Sequence, residues 1–116
     1  MAEVFVFGSN LAGRHGAGSA KEALRNWGAI YGQGTGRQGN SYAIPTKDQK
    51  LWTLPLHTIS VHVSAFKAYA EANPEDTFTV VAIGCGLAGY KPEQIGSMFV
   101  RMPPNVQLPP EFLPFV

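Results

Sequence analysis

Two glycine-rich stretches decide the fold of this chain, and each follows a hydrophobic run. The first, Gly8-Ser9-Asn10-Leu11-Ala12-Gly13-Arg14-His15-Gly16-Ala17-Gly18, comes after Val4-Phe5-Val6-Phe7. The second, Gly84-Cys85-Gly86-Leu87-Ala88-Gly89-Tyr90, comes after Phe78-Thr79-Val80-Val81-Ala82-Ile83. Glycines between a strand and a helix let the backbone approach a ligand and direct its N–H groups toward an anion. Two such junctions in one short chain predict a shared ligand cleft.

The hydrophobic pattern predicts a single α/β domain over residues 1–116. Residues 3–8 are continuously apolar, which is typical of a strand that is covered on both faces of a parallel sheet. A helix between Gly16 and Trp27 would bury its apolar side chains at helical spacing. A second helix beginning at Thr58 or Ser60, and a third beginning at Pro92, complete a three-layer α/β/α arrangement with a mostly parallel sheet. The second helix is expected to direct four side chains of one face toward the core, those of Ile59, Val63, Phe66, and Tyr69 or Ala70.

Proline and glycine set the predicted boundaries of the remaining segments. Residues 32–40 contain a glycine at every second or third position, which predicts a mobile rim loop without regular structure. A short strand over 41–44 is expected to end at Pro45, and a longer strand is expected over 77–83. The proline-rich tail, residues 103–116, is too apolar for a free end, so we expect it to pack along the body or to serve a partner surface.

Composition excludes several classes of protein. Nine basic and eight acidic residues give a net charge of +1 without any basic cluster, so a nucleic-acid partner is not expected. No segment approaches the roughly 20 apolar residues of a spanning helix, so no membrane partner is expected. Cys85 is the single cysteine, which rules out an internal disulfide and favours a reducing cytoplasm.

The familiar site motifs fit the chain poorly. Residues 84–89 match the G-x-G-x-x-G pattern, but the acidic residue and further strand of a dinucleotide-binding unit do not follow. In residues 13–21 no lysine directly follows the second glycine of a G-x-x-x-x-G pattern, so the P-loop motif is not matched. His15, His57 and His62 are too scattered to predict a metal site, and no cofactor is expected. Cys85 could act as a nucleophile, because it lies near the start of a helix. Its small size also suits a buried position in a tight turn, and this structural interpretation is favoured.

Both glycine-rich stretches, taken in order and with their strands, resemble the macro domain. In that family one strand ends in an asparagine and is followed by a glycine-rich loop that opens a helix, and residues 6–11 and 16–20 match this pattern. Residues 82–90 match the later Gly-x-x-Gly-aromatic loop of the family. The whole chain also looks like small macro-like proteins of phages and bacteria. The resemblance implies a smaller than usual macro-like domain that binds ADP-ribose or a related nucleotide.

The resemblance also implies roles for individual residues. Asn10 would contact the distal ribose, Gly16 and Gly18 would let the first loop close, and residues 86–90 would supply N–H groups and the stacking ring of Tyr90. Asn10 and His15 are the candidate catalytic residues, while Arg14 and Lys91 are candidates to pair with phosphate. The complete predicted ligand-binding set is Gly8, Ser9, Asn10, Arg14, Gly16, Gly18, Gly84, Cys85, Gly86, Leu87, Ala88, Gly89 and Tyr90.

Three functions remain open at this point. The first is binding of a nucleotide or phosphorylated ribose with hydrolysis of an ADP-ribosyl bond or a phosphoester. The second is sequestration of a nucleotide signal without turnover, which is modestly favoured because no paired catalytic carboxylates are present. The third is a protein-interaction module in which the tail and residues 32–39 engage a partner or a second copy of the chain. Asn10 has a structural alternative too, as a turn residue or helix cap.

Overall fold

A buried central strand, β1 (Glu3–Asn10), organises the sheet. In the computed structural model, which describes residues 1–116, five strands lie in the order β2-β3-β1-β4-β5. The strands β1, β3 (Ser41–Lys47), β4 (Thr77–Val80) and β5 (Val106–Gln107) run parallel to one another, and β2 (Gly36–Gln38) pairs antiparallel with β3. The expected α/β fold with a mostly parallel sheet is confirmed.

Alternate side chains of β1 enter two separate apolar clusters, because successive residues of a strand point to opposite faces. Val4 and Val6 pack with residues of α2 (Leu56–Ala72) and of α3 (Pro92–Gly96) in the larger cluster. Phe5 and Phe7 pack with Ala20 and Ala23 of α1 (Gly18–Asn26) in the smaller one. The helix α2 buries Ile59, Val63, Phe66 and Ala70, as its spacing predicted.

The segment over residues 32–40 departs from the predicted irregular loop. It contains β2, which pairs with β3 through Gly36 opposite Ala43 and Gln38 opposite Ser41. Gly39 and Asn40 form a two-residue hairpin connection, and Gly39 adopts a left-handed φ of 59°. Gly-Asn between two short extended runs is a recognised hairpin signal, so the sequence did carry this information.

Three predicted boundaries were also wrong. The strand β3 continues through Pro45 to Lys47, because its pairing with β1 shifts register beside Pro45 and such an irregularity tolerates a residue without an N–H. The strand β4 ends at Val80 rather than at residue 83, which leaves residues 81–83 free to line a cleft. The helix α2 begins at Leu56 after Pro55, without a capping side chain.

The proline-rich tail packs along the body. It supplies β5 beside β4, and the ring of Phe112 is fully buried against Phe99 with the ring centroids 5.4 Å apart. Only its last residues, Leu113, Phe115 and Val116, leave large apolar area exposed. The tail is therefore a structural part of the fold. None of the helices combines the length and the apolar character that crossing a bilayer requires.

Candidate functional site

The topology brings the carboxyl ends of β1, β3 and β4 to one edge of the sheet. After β1 the chain enters α1, whose residues pack with the smaller cluster, whereas after β3 and β4 it enters helices that pack with the larger one. Adjacent parallel strands whose connections depart to opposite faces leave a crevice at their carboxyl ends, which is where open α/β sheets bind ligands. A cleft of about 320 Å³ lies at this edge. That volume is at the lower end of the range for small-molecule sites, which begins at roughly 300 Å³.

Both glycine-rich loops contribute residues to the lining of the cleft. Seven of the predicted binding residues line it: Gly8, Ser9, Gly18, Gly84, Gly86, Leu87 and Ala88. Its other lining residues were not predicted from the sequence: Ala17, Ser19, Thr46, Lys47, Val81, Ala82 and Ile83. Thr46 and Lys47 follow Pro45, where the strand was expected to end. Their position at the end of a strand next to β1 was the signal that could have found them.

Several residues of the lining have backbone N–H groups without a hydrogen-bond partner. The residues Gly84, Gly86, Leu87 and Ala88 donate no hydrogen bond from their backbone to the rest of the chain. At the other side of the cleft, α1 begins after Ala17 without a side-chain cap, so the N–H groups of Gly18, Ser19 and Ala20 also lack partners. Free N–H groups at a helix N-terminus and in a glycine loop attract anions.

Lys47 is the only charged residue of the lining. Its ammonium group forms no ion pair, because the single salt bridge of the structure joins Arg37 and Asp76. Its side chain is half-buried at the end of β3, where the cleft offers no carboxylate to neutralise it. An unpaired cation beside free N–H groups makes the cleft electropositive and suited to a phosphate group.

The absent side chains of two glycines keep the cleft open. A Cβ atom added to Gly18 or to Gly86 would meet no atom within 4 Å. Gly84 is different, since its φ is 75° and an added Cβ would lie 3.1 Å from the side chain of Ile95, so its small size lets the second loop pack closely against α3. Some glycines of the lining therefore allow close packing, and others leave the cleft open.

Asn10 does not line the cleft. Its side-chain NH₂ group donates to the carbonyl oxygen of Arg14, and its Oδ1 accepts from the N–H of Arg14, both at 2.9 Å. The amide therefore closes the loop from residue 10 to residue 14, which matches the structural alternative for this residue. Arg14 and Gly16 are exposed and also lie outside the lining.

His15 is buried away from the cleft. Its ring packs edge-on against Phe7, with the centroids 5.2 Å apart, and its Nε2 lies 3.0 Å from the carbonyl oxygen of Gln33 and 3.2 Å from Oε1 of Gln38. That Gln38 oxygen also accepts from the N–H of Ile30, which fixes the orientation of the amide. Both neighbours of Nε2 are acceptors, so Nε2 carries the proton and Nδ1 is left as a buried lone pair without a partner.

The end of the second loop is held by hydrogen bonds rather than offered to the cleft. The hydroxyl of Tyr90 donates to the carbonyl oxygen of Leu54 at 2.7 Å, and its ring packs against the larger apolar cluster. Cys85 packs there as well, and burial, aided by the negative charge of Glu111, raises the pKa of its thiol. Gly89 and Lys91 are exposed outside the lining. The second loop thus contributes residues 84 and 86–88 to the cleft.

The side chains of the cleft offer hydroxyl groups and one ammonium group. Its polar side chains are Ser9, Ser19, Thr46 and Lys47. The hydroxyl of Ser9 donates to the carbonyl oxygen of Gly34, and that of Thr46 donates to the carbonyl oxygen of Ser9 at 3.4 Å. No carboxylate, imidazole or thiol is among the lining residues.

In comparisons with known proteins, no family model, no curated protein and no solved structure matches this chain.

Proposed function

We propose that this chain is a macro-like, three-layer α/β/α domain that binds ADP-ribose, or a related nucleotide or phosphorylated ribose, between its two glycine-rich loops. The observation that carries the proposal is the convergence of the uncapped start of α1, the free N–H groups of residues 84 and 86–88, and the unpaired Lys47 on one cleft. A diphosphate is the group that such an arrangement binds without a basic surface around it.

The lining favours binding without turnover over hydrolysis. Activation of a water molecule needs a positioned base, and the cleft offers only hydroxyl groups, backbone amides and an ammonium group. We therefore propose sequestration or recognition of a nucleotide as the primary activity. Hydrolysis of an ADP-ribosyl bond is the competing outcome, and analysis of the ligand by NMR after prolonged incubation separates the two.

Calorimetric titration with ADP-ribose, ADP, ribose 5-phosphate and cyclic nucleotides tests the proposal. We expect saturable binding of at least one phosphorylated ligand to the wild-type protein. The Gly86→Glu variant should lose that binding, because its carboxylate enters open space beside the free N–H groups and repels an anion. A thermal melt like that of the wild type is the control for folding. The absence of saturable heat with every ligand would overturn the proposal.

Lys47→Gln tests the cation of the cleft separately from its backbone groups. A charge-assisted hydrogen bond to phosphate contributes about 1.5–3 kcal/mol, so the dissociation constant for ADP should rise by roughly tenfold to a hundredfold. Its dependence on salt should weaken as well. Lys50→Gln is the matched control, because Lys50 is exposed on the adjacent turn and does not line the cleft. Equal effects of the two substitutions would contradict a specific role for Lys47.

A further inference from the structure

Two of the most exposed large apolar side chains of the protein lie beside the cleft. Trp52 and Leu87 expose 71% and 73% of their surface, more than any other large apolar residue except the terminal Met1. Leu87 also belongs to the lining of the cleft. Both side chains are ordinarily buried at least in part, so the high exposure of this indole and this leucine near one cleft is unusual.

Backbone and side-chain hydrogen bonds bring these two residues to the same rim. Lys47, at the end of β3, forms an isolated bridge with Thr53, so residues 48–52 project from the cleft edge as a short loop. The hydroxyl of Thr53 then donates to the carbonyl oxygen of Ala88 at 3.1 Å. Trp52 and Leu87 are the immediate chain neighbours of these two bonded residues. The rim is therefore continuous with the phosphate-binding cleft.

The loop that carries Trp52 is fixed by its own hydrogen bonds. The carboxylate of Asp48 accepts from the N–H groups of Lys50 and Trp52 at 2.8 and 2.9 Å, and the N–H of Asp48 donates to the carbonyl oxygen of Trp52 at 2.8 Å. Leu51, just before the indole, has a left-handed φ of 66°, which a leucine adopts only when its surroundings impose it. The backbone that presents the indole is thus ordered before any ligand arrives.

We propose that Trp52 and Leu87 form the subsite for the planar base of a nucleotide whose phosphates occupy the cleft. This inference rests on the proposed function, and it assigns a position outside the cleft to the base of the nucleotide. The cleft, at about 320 Å³, is small for a whole nucleotide, and the exposed Leu87 in its lining offers the base a surface on the way out of the cleft. An indole on a rigid loop is a stacking surface that accepts any base, because every base has a π-face.

Binding of ADP and of inorganic pyrophosphate to the same variants tests this subsite. Removal of a stacking aromatic side chain typically weakens binding by about tenfold per base, so Trp52→Ala should raise the dissociation constant for ADP by that factor. Its dissociation constant for pyrophosphate, which has no base, should stay at the wild-type value. Trp52→Phe should retain part of the affinity for ADP. Val61→Ala is the matched control, because Val61 is a similarly exposed apolar residue on α2.

Fluorescence gives a second readout that does not depend on affinity alone. The chain has two tryptophans, so Trp52 is the single indole in a Trp27→Phe background. Stacking should quench its emission when ADP binds, and pyrophosphate should leave the emission unchanged.

The results separate the subsite from the cleft. If pyrophosphate and ADP bind the wild type and Trp52→Ala equally well, without quenching, the base subsite is overturned while the phosphate-binding cleft stands. If neither ligand binds the wild type, the proposed function fails and the subsite falls with it. A parallel loss of ADP and pyrophosphate binding in Trp52→Ala would also overturn the subsite, because it would place the effect in the phosphate site or in the fold.

Discussion

The two glycine-rich loops of this protein have similar composition and differ in packing. From residue 10 to residue 15 the first loop is packed: Asn10 closes it, His15 is buried beneath it, and a side chain at Gly13 would overlap the backbone of Gly32 and Gln33, whereas Gly16 and Gly18 beyond it face open space. The second loop leaves several N–H groups free, and its Gly86 and Gly89 face open space. Glycine content alone therefore does not predict whether a loop is packed or open, because the atoms around each glycine decide that.

Substitution of Gly13 should show the largest difference between the loops. Gly13→Ala should lower the free energy of unfolding by about 3 kcal/mol, because it adds a Cβ at a left-handed φ of 71° and overlaps neighbouring backbone. Gly86→Ala, in the second loop, should change it by no more than about 0.5 kcal/mol. Urea denaturation of the two variants measures both values. Similar losses in the two would mean that both loops are packed alike.

A smaller effect is expected from the amide that closes the first loop. Asn10→Ala removes both hydrogen bonds to the backbone of Arg14 and should lower the free energy of unfolding of the ligand-free protein by about 2 kcal/mol. Asn10→Asp keeps the acceptor for the Arg14 N–H and should recover part of the loss. Unchanged stability of Asn10→Ala would instead favour the predicted contact between Asn10 and a ribose.

The smallest effect concerns Cys85 in the second loop. Since burial and Glu111 raise the pKa of its thiol, alkylation of the folded protein should reach its midpoint above the value of about pH 8.5 for a free cysteine. The folded state favours the protonated thiol, so this contribution to stability is complete below the unfolded-state pKa and is lost as the pH rises through the folded-state pKa. Iodoacetamide labelling across pH measures the midpoint.

Glu111→Gln sharpens this measurement, because removal of the nearby negative charge should move the alkylation midpoint of Cys85 toward lower pH. Glu22→Gln, on α1, is the charge-matched control and should leave the midpoint unchanged. A midpoint below that of free cysteine in the wild-type protein would revive the interpretation of Cys85 as an activated nucleophile.

Local patterns predicted the elements that depend on local physics. The continuous apolar run gave a strand buried on both faces, the spacing of Ile59, Val63 and Phe66 gave the inner face of α2, and Pro92 marked the start of α3. The hairpin at Gly39 was missed although its signal was present. The strand β3 was cut short at Pro45 because the register shift that accommodates the proline exists only once β1 lies beside it.

The sequence by itself determined that two glycine-rich loops would follow two buried strands of an α/β protein, since hydrophobic runs and glycine act through local backbone preferences. Only the tertiary structure decided which residues share the cleft. Lys47 joins it because β3 runs parallel to β1, while Asn10, His15 and Tyr90 are turned to other hydrogen-bond partners. Strand order and side-chain partners depend on contacts between distant segments, and no local pattern specifies those.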